Sequence, residues 1–348
     1  MPQQFLGNKE FLTKDIEVFA SCPSNIALIK YWGKYEGQIP ANPSISFTLS
    51  NCKTETKMIF KSGEKFSVKT FLAGKEETKF SEKIEKYFRS IEKYLPWILQ
   101  GSFVIETENT FPHSSGIASS ASGFGAIAKC LMEMDKAFSG KDFFDVKKAS
   151  FLARLGSGSA CRSVYDGLVV WGEVNEVEGS SDLYAVKYPN EEIHPIFRDF
   201  NDYVLLIHEG QKSVSSTVGH GLMNTNPYAE RRFQEARENF VPMKEILKSG
   251  DLQAFMKLVE HEALTLHAMM MMSAPAFILM QTGTLQVINR VWEFRKETNL
   301  PLFFTLDAGA NVHLLFPSEK KAEISNFIET ELLQYTQNGG IVRDFMRF

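Results

Sequence analysis

The chain has 348 residues, 44% of them hydrophobic and 23% charged, with a formal net charge of −4. That length supplies core enough for two domains or one large one. The weak acidity argues against a general nucleic-acid or anionic-membrane binder, so an anionic substrate has to be met by a local cluster of cations.

In chain order, β-branched and aromatic enrichment predicts strands over 17–21, 44–49, 56–60, 65–72 and 102–107, with a charged helix over 81–94. Between the first two strands lies CPSNIALIKYWGK (22–34), in which Asn25, Lys30 and Lys34 sit within or beside an apolar run. A lysine beside a strand is ordinarily a surface residue. Lys30, set between Ile29 and Tyr31-Trp32, is harder to leave wholly exposed.

The segment NTFPHSSGIASSASGFGAIAKCLMEM (109–134) runs small residues straight into an apolar-periodic helix predicted over 118–138. Such a helix start leaves backbone N–H groups open at the positive end of the helix dipole, which suits an anion. Its serines can cap the helix or offer hydroxyls to phosphate oxygens and a metal; a tightly packed helix start is the plain alternative. No GxxxxGK[ST] pattern is present, and GSGSAC (156–161) has Cys161 where a dinucleotide fingerprint needs its last glycine.

A second helix is predicted over 143–155, closed by Gly156 as a C-cap, with Ser157, Ser159 and Arg162 around the turn that follows. An arginine fixed there can grip a carboxylate or phosphate through two parallel hydrogen bonds, or pair with Asp166. Strands follow over 163–173, 183–187 and 203–208, then a polar turn over 210–221 that contains KSVSST (212–217). Helices are expected over 228–248, over 251–272 with Asp251 as N-cap, and over 281–297. The last part reads as strand 302–305, the turn DAGAN, strand 312–316, helix 322–335 and a strand near 340–344. Asp307 falls at the end of a buried strand, a favoured place for a catalytic acid, although an aspartate there can also simply cap its own turn.

Four scattered cysteines without CxxC spacing make neither a zinc site nor a disulfide scaffold, which points to a reducing, cytoplasmic setting. The methionine-rich run at 269–272 is too short and interrupted to cross a bilayer.

Taken together, SNIALIKYWGK (24–34), PSISFTLS (43–50), NTFPHSSGIASSASG (109–123), GSGSACRSVYDG (156–167), SST (215–217) and LDAGAN (306–311) resemble the signatures of the GHMP kinase superfamily. Within it, KYWGK, SGSACRS and DAG resemble the diphosphomevalonate decarboxylases. The resemblance covers about residues 17–316. It implies an α+β fold with a ribosomal-S5-like N-terminal domain (1–192), a ferredoxin-like C-terminal domain (193–348) and an active site in the cleft between them.

The resemblance further implies ATP-dependent decarboxylation of mevalonate 5-diphosphate to isopentenyl diphosphate, with ATP and Mg²⁺ required and a homodimer expected. Asp307 would orient the substrate's 3-hydroxyl or take its proton, Arg162 would hold the substrate carboxylate, and Lys30 would sit near Asp307 and the transferring phosphoryl group. Asn25, Tyr31, Ser159 and Ser216 would line the substrate site. Asn109, Gly116, Ser119, Ser120 and Ser122 would hold the ATP phosphates, with Ser120 at the metal. Ala310 departs from the proline usual after DAG, which loosens the turn beside Asp307. Rival readings are a related enzyme acting on mevalonate 5-phosphate, a small-molecule kinase that stops at the phosphate ester, and a non-catalytic relative.

Overall fold

A computed structural model describes residues 3–7, 10–112, 117–210 and 214–347. The first half is organised by two long strands, β1 (Ile16–Ile29) and β4 (Ser44–Ser62), paired antiparallel. Between them, β2 (Lys34–Tyr35) and β3 (Ile39–Pro40) form a small ribbon. The other strands of the first sheet are β5 (Ser67–Leu72), β6 (Lys75–Glu76), β7 (Gly101–Asn109), β8 (Leu168–Trp171) and β9 (Ala185–Lys187). Among the described residues the sheet has seven strands, ordered β6-β5-β7-β4-β8-β9, with β1 on β4.

Helices α1 (Thr78–Ile91), α2 (Ser119–Ser139) and α3 (Val146–Gly156) pack on this sheet. Helix α1 turns Ile84, Tyr87, Phe88 and Ile91 inward at helical spacing and its charges outward. Helix α3 begins at Val146, three residues later than the sequence pattern suggests, behind the N-cap Asp145, whose side chain accepts the Lys148 backbone N–H at 2.9 Å. A short helix, α4 (Ala160–Ser163), follows it. The strand expected over 163–173 shrinks to β8, because α4 and the turn after it take the first five residues.

The second half holds an antiparallel sheet of β10 (Asp199–Leu205), β11 (Phe303–Leu306), β12 (Val312–Pro317) and β13 (Ile341–Arg347), ordered β11-β12-β10-β13. Its helices are α5 (Ser216–Leu222), α6 (Ala229–Glu238), α7 (Phe240–Ser249), α8 (Leu252–Met271), α9 (Thr282–Thr298) and α10 (Lys321–Phe327). The helix expected over 228–248 divides at Asn239, one residue before α7. The polar turn expected over 210–221 becomes helical from Ser216 onward, with Ser215 as its N-cap, while 211–213 lie outside the described residues. Asp251 does cap α8, accepting the Ala254 N–H at 3.0 Å.

The two halves share apolar packing. Ile26, Leu28 and Phe47 of the first sheet meet Phe200, Phe303 and Phe255 of the second half in one buried cluster. Each such fully buried side chain contributes roughly 1.5–3 kcal/mol, so the seam fixes the cleft above it. A polar clamp adds to it. The β1/β4 register jumps between Pro23 and Asn25, which leaves the 50–52 stretch of β4 without ladder partners on β1. The Asp344 carboxylate on β13 takes the backbone N–H groups of Ser50, Asn51 and Cys52, at 3.0, 2.9 and 2.6 Å.

Candidate active site

A cavity of about 440 Å³ opens where the end of β1, the start of α2, the 156–162 turn, α5 and the turn after β11 converge. Lys30, the residue directly after β1, lines it. Lys30 is 1% exposed, and its Nζ donates to Asp307 Oδ1 at 3.0 Å. Desolvating an ammonium is costly unless a carboxylate compensates it, so Lys30 and Asp307 are tied in position by one another. Asp307 directly follows β11, where the sequence reading puts it, and its carbonyl accepts from Gly309 N at 2.7 Å and from His267 Nε2 at 3.1 Å. The turn without its proline is held by other means: Thr284 Oγ1 donates to the Ala310 carbonyl at 2.6 Å, and Asn311 Oδ1 accepts from His208 N at 3.0 Å.

The Lys30 peptide is gripped from the second half of the chain. Glu262 on α8 accepts the Lys30 N–H at 2.9 Å, and Arg232 on α6 donates to the Lys30 carbonyl at 3.3 Å. Glu262 and Arg232 form a two-pronged ion pair, and Asn239 Nδ2 donates to Glu262 Oε1 at 2.6 Å. Glu262 is completely buried and Arg232 is 1% exposed.

Arg162 is 3% exposed. Its Nε donates to Ser46 Oγ at 2.9 Å and Asn25 Oδ1 at 3.2 Å, and Nη1 donates to Ser44 Oγ at 2.6 Å. These partners, rather than Asp166, fix the side chain, and all are neutral. Burial pulls the guanidinium below its ordinary value, opposed by Cys161 and by the Asp307 charge across the cavity. A buried cation with neutral partners on one edge and a cavity on the other is an anion receptor.

Of the other residues the sequence singled out, Asn25, Tyr31, Ser159, Ser120 and Ser216 line the same cavity. Asn25 belongs to its frame: its amide donates to Ser163 Oγ at 2.7 Å and to the Ser159 carbonyl at 3.2 Å. Ser120 is exposed at the start of α2, 3.4 Å from Ser157 Oγ. Ser122 is different. It is fully buried, with its hydroxyl 2.6 Å from Thr54 Oγ1, and Asn109 Oδ1 accepts from that same threonine at 2.7 Å. Ser122 therefore braces α2 against β4, Asn109 ties β7 to the same threonine, neither is among the cavity residues, and Ser119 is likewise absent from the lining. Gly116, with 113–115, lies outside the described residues.

Gly156 is the last helical residue of α3 and not a left-handed C-cap. It is glycine because a Cβ there would come 2.1 Å from the Phe124 ring. At Gly158 a Cβ would come 2.8 Å from the Tyr31 hydroxyl, so the turn must be bare for Tyr31 to reach the cavity.

Three further cavity residues escaped the sequence reading: Lys83, Gln38 and His220. Lys83 looks like one more surface charge on α1, and His220 falls in a stretch taken for a polar turn. Lys34, noted in its motif without a role, donates to Gln38 Oε1 at 2.8 Å. Burial, then the neighbouring charge of Lys83, holds the Lys34 ammonium below its usual value.

A mixed sheet with a helix N-terminus opening on a cleft, joined to a second antiparallel sheet that delivers an aspartate, is the GHMP kinase fold. Residues 22–185 match the profile of the diphosphomevalonate decarboxylase-like N-terminal domain, and 203–344 match that of the mevalonate 5-diphosphate decarboxylase C-terminal domain. The diphosphomevalonate decarboxylase of Schizosaccharomyces pombe is 31% identical over 330 residues, covering 88% of this chain and 80% of its own length. The crystal structure of mevalonate diphosphate decarboxylase from Staphylococcus aureus superposes with a TM-score of 0.82 at 30% identity, over 95% of this chain and 96% of that one. A structure described as MDDEF in complex with MVAPP, AMPPCP and magnesium gives 0.81 at 26% identity, over 96% and 97%. The chain belongs to the diphosphomevalonate decarboxylase family. No helix among the described residues is long and apolar enough to cross a membrane.

Proposed function

We infer that this chain converts mevalonate 5-diphosphate and ATP to isopentenyl diphosphate, ADP, phosphate and carbon dioxide. The observation that carries this reading is the meeting in one cavity of the Lys30–Asp307 pair and the Arg162 guanidinium, which has no carboxylate partner among the described residues. Phosphoryl transfer followed by decarboxylation needs a positioned hydroxyl, charge neutralisation and an aligned carboxylate. On this reading Asp307 orients the 3-hydroxyl and receives its proton as that oxygen takes the γ-phosphoryl group. Lys30 balances the charge on both. Arg162 holds the carboxylate in line while the C3–O bond breaks and phosphate leaves with its electron pair. The electrons of the C–C bond to the carboxylate become the new double bond, and carbon dioxide departs.

ATP would lie with its phosphates at the start of α2, where Ser120 and Ser157 present hydroxyls and Lys83 a charge. Among the described residues no group of three or more His, Cys, Asp or Glu is arranged to hold a metal. The hydroxyl donors at Ser120 suit magnesium, which keeps most of its ligands as waters and phosphate oxygens. When bound, the ion would neutralise phosphate charge. The proposed division has 1–192 as the ATP-binding half and 193–348 as its partner. A cytoplasmic homodimer belongs to the same reading, and a monomeric mass in light scattering would remove the dimer from it.

The test is carbon dioxide release from mevalonate 5-diphosphate with ATP, run beside mevalonate 5-phosphate. ADP formed without gas would sink the decarboxylase, and preference for the monophosphate would reassign the substrate. Two variants probe the roles. Ser120→Ala should raise the KM for ATP or slow phosphoryl transfer, by on the order of 1–3 kcal/mol for one hydrogen bond to a charged group. Unchanged ATP kinetics would pass the role to a neighbouring serine. Arg162→Lys keeps charge but loses the planar fork, and kcat/KM should fall about tenfold to a hundredfold. A stable mutant with intact kcat/KM rules out the carboxylate clamp.

A further inference from the structure

His220 lies on α5 in the wall of the active-site cavity and is 8% exposed. Its imidazole packs against Tyr31 and Trp32, with ring centroids 4.3 Å and 4.5 Å away. Nδ1 accepts the Gly33 backbone N–H at 3.0 Å. A ring that accepts through Nδ1 and is neutral carries its one hydrogen on Nε2. Burial first, then the charges of Lys34 and Arg162, push the imidazole down to about 3, so the neutral form holds throughout the physiological range. Packing and the Gly33 bond thus produce a fixed, uncharged donor.

That donor lacks an acceptor. Nε2 has no hydrogen-bond partner among the described residues. His220 lines the cavity, so this N–H is satisfied there by water or by a ligand. Its surroundings select the ligand. Lys34 neighbours Gly33 in sequence, is the first of the charges acting on the ring, and spends its ammonium on neutral Gln38. Lys34 has no carboxylate partner among the described residues. Its ammonium and the neutral N–H line the same cavity, with the Arg162 charge also acting on the ring. Such a set fits phosphate oxygens, and an uncharged donor adds a bond without a further cation to repel Lys34.

We propose that His220 is a specificity-determining residue whose Nε2–H donates to an oxygen of the substrate's 5-diphosphate at the Lys34 end of the cavity. The proposal rests on the reading above that mevalonate 5-diphosphate occupies this cavity.

His220→Phe keeps a flat ring between Tyr31 and Trp32 and deletes the donor; His220→Gln restores a donor amide. The readouts are melting temperature, the KM values for both substrates, and inhibition by isopentenyl diphosphate, which has the diphosphate but no carboxylate. His220→Phe should raise the KM for mevalonate 5-diphosphate and the inhibition constant of isopentenyl diphosphate together, each about tenfold to a hundredfold. The KM for ATP should stay near that of the unmodified enzyme, and His220→Gln should recover much of the loss. Unchanged constants in folded His220→Phe overturn the proposal. So does a raised substrate KM with an unchanged inhibition constant, which would move the donor to the carboxylate end.

If His220→Phe fails to fold, long-range ¹H–¹⁵N spectra of the unmodified protein decide. They should show a neutral ring protonated at Nε2 whose signal shifts when isopentenyl diphosphate binds; an Nδ1-protonated or unresponsive ring overturns the assignment. An unmodified enzyme that releases no carbon dioxide defeats the function reading, whereas unchanged constants in an active enzyme defeat only this one.

Discussion

Asp307→Asn is expected to lower kcat by about 10²–10⁴-fold, the usual cost of losing a general base or its orienting equivalent. The asparagine fits the same turn, and its amide oxygen can still accept from Lys30, which donates to Asp307 Oδ1 at 3.0 Å. What it removes is the negative charge that receives a proton and balances a buried ammonium. Some stability goes with it, because Lys30 is left without its counter-charge. Asp307 is about one-quarter exposed to the cavity, so water softens that loss, and ATP affinity should be little altered. Thermal melting, ATP binding and single-turnover phosphoryl transfer measured on one preparation separate the two effects. A variant with more than about half the normal rate, against that expectation, would leave Asp307 as a turn residue.

Glu262→Ala should cost about 3–5 kcal/mol of folding stability, the range for removing one partner of a buried ion pair. The loss reaches beyond the pair. Arg232, Asn239 Nδ2 and the Lys30 N–H would all lose their acceptor inside a sealed region between α6, α8 and the end of β1. Equilibrium urea denaturation reads the change directly. Glu262→Gln, which keeps the acceptor oxygen and the shape, should lose less. An alanine variant within about 1 kcal/mol of the parent would mean that water enters and solvates Arg232, contrary to the cost expected for an uncompensated buried charge.

The sequence showed one kind of relation well and another hardly at all. Residues whose placement is announced by their neighbours were legible: Lys30 buried between apolar residues, Asp307 at a strand end, Arg162 after a helix, and Asp251 as a cap. Relations between distant segments were not. Nothing near position 30 points to Glu262, 232 residues away, and nothing near Arg162 points to Ser44 and Ser46. The polar residues at 50–53 suggest a break between two strands, yet the chain stays extended as β4 because another element satisfies its freed amides. His220 was hidden for a related reason. Its helix begins among serines that read as loop, and only the packing on Tyr31 and Trp32 and the Gly33 bond show where the ring goes. Ser122 misled in the opposite sense: the run of small residues around it suggests an open helix start, but helical periodicity turns it inward to Thr54.

The Asp344 clamp also sets an order of birth. Its carboxylate reaches the Cys52 amide across 292 residues of chain, a stretch that takes roughly 15–60 s to synthesise at the ~5–20 residues per second of translation. Throughout that interval the first sheet can form while its bulged amides are answered only by water. The bond that ties the two sheets together is thus available only once the last strand has emerged. A nascent chain carries Lys30 well before it carries Asp307, so the ammonium that ends up buried is made long before the carboxylate it pairs with.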